Sequence, residues 1–136
     1  MSSTERVRGR KAAAAGLWVL IVPELLGMGL AGLSKFQGDA WQRMFEGWGY
    51  AAWFALVIGA AEMGGALMLT AKKFASYAAI PLIVIMLGAI WTVTTNESQL
   101  GPGMPTIHIA ILSIILAGRW RSRWRPGRAQ GAQPVA

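Results

Sequence analysis

Cysteine is absent from the 136-residue chain. Disulfides, thiolate catalysis and iron–sulfur ligation are therefore excluded. The sequence has a single histidine, His108. One imidazole cannot provide bis-histidine haem ligation or a multi-histidine copper or di-iron site, so no metal centre and no intrinsic cofactor are expected. Charge is scarce as well: 14% of residues are charged, against roughly a quarter in soluble globular chains. Nucleophile elbows, phosphate loops and dinucleotide fingerprints are all missing. These gaps argue against an enzyme that works by itself.

Apolar sequence fills the space that charge leaves. Mean hydropathy is +0.44. Residues 74–96 and 98–118 carry no Asp, Glu, Lys or Arg, residues 12–34 carry only Glu24, and residues 47–71 only Glu62. About 20 apolar helical residues cross a bilayer core of about 30 Å, so four runs qualify. A soluble bundle would need a polar stripe on each helix, and none is present. The fold class expected is an all-α membrane protein, a four-helix transmembrane bundle forming one domain over residues 12–120.

The net charge of +7 follows topology rather than nucleic acid, which is not an expected partner. Arg6, Arg8, Arg10 and Lys11 precede the first run, Lys72 and Lys73 follow the second, and Arg119, Arg121, Arg123, Arg125 and Arg128 close the fourth. Cytoplasmic termini would put all of these on the inside, as the positive-inside rule requires, leaving only Lys35 and Arg43 outside. The expected location is a bacterial cytoplasmic (inner) membrane, with basic cytoplasmic tails at residues 1–11 and 121–136. The first run is too long for a signal peptide, and its small residues precede its apolar core.

Helix one is expected over residues 12–33, with Pro23 removing the bond to the Val19 carbonyl. Asp39 and Gln42 have capping-box spacing. Trp41, Met44, Phe45 and Trp48 then recur at helical spacing opposite Gln42, Arg43 and Glu46, which predicts a short amphipathic helix at the outer interface, ended by Gly47 and Gly49. Helices two, three and four are expected over residues 51–70, 77–95 and 106–120, with Pro81 near the start of the third. Gly101, Pro102, Gly103 and Pro105 break the chain before the fourth.

Glu24 and Glu62 are the sharpest features, because carboxylates near the bilayer midplane are costly and by default functional candidates. Ala55, Ile58, Gly59, Gly65 and Ala66 share a face with Glu62, a small-residue surface that turns it into the bundle. The pair could bind or relay a proton. The structural alternative is a protonated acid bonded to a backbone carbonyl, such as the one freed by Pro23. His108 lies just below the outer boundary, at a depth near Lys35, Thr92, Thr95, Asn96 and Glu97. A pocket there could hydrogen-bond a quinone, with Trp91 or Phe36 stacking on it. Its alternative is a polar helix end satisfied by water. The seven methionines read as packing residues.

The order Ala31-Gly-Leu-Ser-Lys-Phe36, Trp41, Phe45-x-x-Trp-Gly-Tyr50 and Trp53-Phe54 resembles the DoxX-like family. So does Ile58-Gly-Ala-Ala-Glu-Met-Gly-Gly-Ala-Leu67, and residues 78–89 fit the family's third helix. The resemblance implies a four-helix membrane protein, and carries over Lys35, Trp48, Gly49, Tyr50 and Glu62. Relatives of the DoxD type are subunits of thiosulfate:quinone oxidoreductases, so the resemblance implies a quinone-linked role. Where many members carry a histidine near the end of helix three, this chain has Thr92, Thr94 and Thr95, and Glu24 lies outside the motif.

The function expected is an accessory or anchoring subunit of a membrane redox complex, with quinone as a possible ligand and a membrane-protein partner or homo-oligomer. The alternative is a small proton-coupled transporter or permease that uses the midplane carboxylates.

Overall fold

Uninterrupted apolar sequence favours helices that satisfy every backbone group internally, which is what a bilayer demands. The computed structural model describes residues 3–123 and contains, among them, five helices and no strand. They are α1 (Ser3–Ser34), α2 (Ala40–Gly47), α3 (Ala52–Thr70), α4 (Ala75–Thr95) and α5 (Gly103–Arg123). The segments Ala15–Ser34, Ala52–Thr70, Ala75–Thr95 and Gly103–Arg121 are each long and apolar enough to cross a membrane. Their outward residues, including Val19, Leu26, Val57 and Leu87, are apolar and exposed, as lipid-facing surfaces should be.

The four long helices form a ring. α1 packs on α3 and α5, α4 packs on the same two, and neither diagonal pair touches backbone to backbone among the described residues. α2 lies on α3. The apolar core is concentrated at one end, where Ile21, Leu69, Leu82, Leu112 and Ile115 are fully buried beside the α3–α4 turn. Gly65 admits Leu82 there: a Cβ on that glycine would lie 2.6 Å from the leucine side chain.

Several boundaries differ from expectation. α1 starts at Ser3 rather than at residue 12, because the alanine-rich stretch that begins the apolar run lets the helix continue into the basic segment. α4 starts at Ala75, so Pro81 is interior rather than in the first turn. The break before α5 is shorter than expected, since Pro105 falls in a first turn, where no helical bond is lost. Asp39 does not form a capping box: its carboxylate pairs with Arg43, and Gln42 reaches back to the Lys35 carbonyl. Gly49, at φ +84°, makes the reversal between α2 and α3. Arg125, Arg128 and most of the expected C-terminal tail lie outside the described residues.

Candidate functional site

The half of the bundle that carries α2 is hollow, whereas the half beside the α3–α4 turn is packed. Its geometry begins with two glycines. A Cβ on Gly32 would meet the Gly59 carbonyl oxygen at 2.6 Å, and one on Gly59 would meet the Gly32 oxygen at 2.8 Å. Only glycine at both positions lets α1 and α3 cross this closely. The Lys35 Cβ lies against Gly59, 3.0 Å from where a side chain would begin. The lysine thus crosses the glycine to reach Glu62.

Lys35 Nζ donates to Glu62 Oε2 at 2.7 Å and to the Ala31 carbonyl at 3.2 Å. Both side chains are buried, at 5% and 4% exposure. Burying an ion costs several kcal/mol unless a partner and hydrogen bonds offset it, so each charge here holds the other in place. Lys35, counted on the outside by topology, has its ammonium inside the bundle. The Trp41 ring lies 4.6 Å from that ammonium, in cation–π range.

A second pair lies across the bundle. His108 Nδ1 and Glu24 Oε2 share a hydrogen bond of 2.6 Å, and Glu24 is fully buried. Gly27 makes room for the imidazole, since a Cβ there would meet His108 Cε1 at 3.0 Å. Glu24 therefore uses a side-chain base, not the carbonyl freed by Pro23, and its Oε1 is buried without a partner. The two carboxylates do not form a pair with each other. Each has its own base.

Between these pairs lies a cavity of about 640 Å³. Lys35, Glu62 and His108 reach its wall amid apolar residues from every helix. Trp41, Phe45 and Trp48 turn from α2 into the cavity, so the amphipathic helix forms its roof. Phe45 packs against Trp48, Tyr50 and Phe54, with ring centroids 5.5 to 6.1 Å apart. The Tyr50 and Thr92 hydroxyls are hydrogen-bonded at 3.0 Å, tying the start of α3 to the end of α4.

The expected outer pocket is thus partly assembled: Lys35, Trp91, Thr92 and His108 line the cavity. Thr95 and Asn96 do not. Their side chains bond the Trp91 and Thr92 carbonyls and finish α4. Phe36 and Glu97 are exposed and away from the cavity wall. The pairing of Glu24 with His108 and the bond between Tyr50 and Thr92 were not foreseen from the sequence. Gly27, four residues before the small Ala31 on one face of α1, was the available signal for the first.

The DoxX family model matches residues 25–95, just over half of the chain. The chain belongs to the DoxX family. With its four apolar helices, this DoxX protein is a multi-pass membrane protein in a lipid bilayer. The matched segment contains Lys35, Glu62, Tyr50 and Thr92, while Glu24 and His108 lie outside it. No curated protein and no solved structure matches the chain.

Proposed function

We propose that this DoxX protein is an accessory subunit of a quinone-linked redox complex in a bacterial cytoplasmic membrane, holding a quinone head group in its outer cavity. The observation that supports this best is the Lys35 ammonium. It is buried at the wall of an apolar cavity, and two of its three protons are used by Glu62 and Ala31. The third is left for an acceptor.

A quinone head group is a flat ring bearing carbonyl acceptors, and the donor set fits it. Lys35 can donate to one carbonyl. His108 Nε2 has no protein partner among the described residues and lies on a cavity-lining side chain, where it can donate to a carbonyl when it carries a proton. Trp41, Phe45 and Trp48 offer the apolar faces that a planar ring prefers. A bound quinone would supply electron acceptance coupled to proton uptake. This chain's own residues would bind and orient the ring, exclude water beneath α2, and keep groups that carry protons at its edge. Electrons would come from a partner, because a sequence without cysteine and with one histidine has no ligand set for a redox centre. The permease reading draws less support, since a shared proton path would join carboxylates that instead have separate bases.

The test is purification in mild detergent followed by reconstitution into nanodiscs. A membrane partner should co-purify, and a short-chain ubiquinone should quench the fluorescence of the cavity tryptophans. Lys35→Met should weaken that quenching about tenfold or more, the worth of a hydrogen bond from a charged donor. A chain that purifies alone and is not quenched would sink the proposal.

A further inference from the structure

The cavity wall includes exposed residues of two membrane-spanning helices, Met104 at the start of α5 and a group of three on α4. Val84, Gly88 and Trp91 all line the cavity, yet Val84 is 62% and Trp91 69% exposed, and Gly88 is exposed between them. Spacings of four and three residues put the three on one stripe of α4. That stripe lies within the membrane-spanning segment Ala75–Thr95. At about 1.5 Å per residue, Val84 is about 16 Å below the outer end of α4 and Trp91 about 6 Å below it. The opening therefore faces hydrocarbon from near the midplane upwards.

The end of the bundle beneath α2 is covered in part. α2 covers the outer end with Trp41, Phe45 and Trp48, Leu100 and Gly101 of the α4–α5 loop add to the cover, and the Tyr50–Thr92 bond bridges α3 to α4. Gly88 carries no side chain on this stripe. A Cβ there would have no neighbour within 4 Å, so helix packing does not require glycine at this position. Its effect is to leave a notch between Val84 and Trp91.

We infer that the cavity is loaded sideways from the bilayer through the notch at Gly88, and that a ligand held by its polar head at Lys35 and His108 extends an apolar chain out over Val84 and Trp91. The chain class, a polyisoprenoid tail, rests on the quinone reading above; the route does not. A membrane-dissolved ligand would then reach buried charges without crossing water. Specificity would lie in the head, because the tail remains in lipid.

A diazirine-bearing adamantane dissolved in phosphatidylcholine nanodiscs tests the route without any quinone. Photolysis and peptide mass spectrometry of the full chain should find label on the inner wall at Met28, Ala31 and Ile58, as well as on outward Leu26 and Val57. Gly88→Phe places a ring in the notch, and should remove most inner-wall label while leaving the outward label unchanged. Val84→Trp narrows the lower lip and should act the same way should the first variant fold poorly. An inner wall without label in the wild type, or labelled equally in both variants, would overturn the inference. If inner-wall label depends on the notch but a short-chain ubiquinone causes no quenching, the route stands and the quinone reading falls.

Discussion

Lys35 and Glu62 are each tolerable inside the bundle only because the other is present. Lys35→Met should cost about 3–5 kcal/mol, since it leaves a buried carboxylate without its cation, whereas replacing both charges with apolar residues of similar size is often close to neutral. Thermal unfolding in detergent should therefore find the double variant Lys35→Met, Glu62→Leu more stable than Lys35→Met alone. Quinone quenching should stay weak in both, which separates the role of the pair in folding from its role in binding. The inward direction of Glu62 was legible from its small neighbours. Its partner was less so, because Lys35 follows the last residue of α1 and is long enough to point either way. The pairing of Glu24 with His108 was hidden for a different reason. Depth counted from separate loops does not fix how far one helix is offset against another.

The elements are positioned by where side chains are missing. Gly59 and Gly64 lie in the same helix, five residues apart, but only Gly59 is pressed against another backbone. Gly59→Ala should destabilise the protein by more than about 1 kcal/mol, because the neighbouring carbonyl cannot yield as a flexible side chain would. Gly64→Ala should be neutral or stabilise by up to about 1 kcal/mol, by the removal of backbone freedom alone. Chemical denaturation in mixed micelles would rank the two. The four long helices and α2 were all readable from charge-free runs and periodicity. Their ends were less so: Pro81 suggested a helix start, yet a proline inside a membrane helix costs less than the rule from water implies, and Pro105 suggested a break, yet a first turn takes proline without losing a bond. The capping box at Asp39 failed because Arg43 offers its carboxylate a charged partner one turn away.

The whole molecule has an orientation that its basic residues predict. Because the chain has no cysteine, single cysteines report sidedness without background. In intact spheroplasts a membrane-impermeant maleimide should label Ser98→Cys, while Lys72→Cys should react only after permeabilisation; the reverse pattern would invert the bundle. The two ends also differ in how matter fills them. Large side chains pack the end near Lys72, and the cavity occupies the other. Under hydrostatic pressure, which favours states that eliminate internal voids, the bundle would not compress evenly. Its packed end would act as a fulcrum, while the opposite ends of the helices, joined by the Gly32–Gly59 crossing, the Lys35–Glu62 pair and the Tyr50–Thr92 bond, would breathe about it like the prongs of a fork.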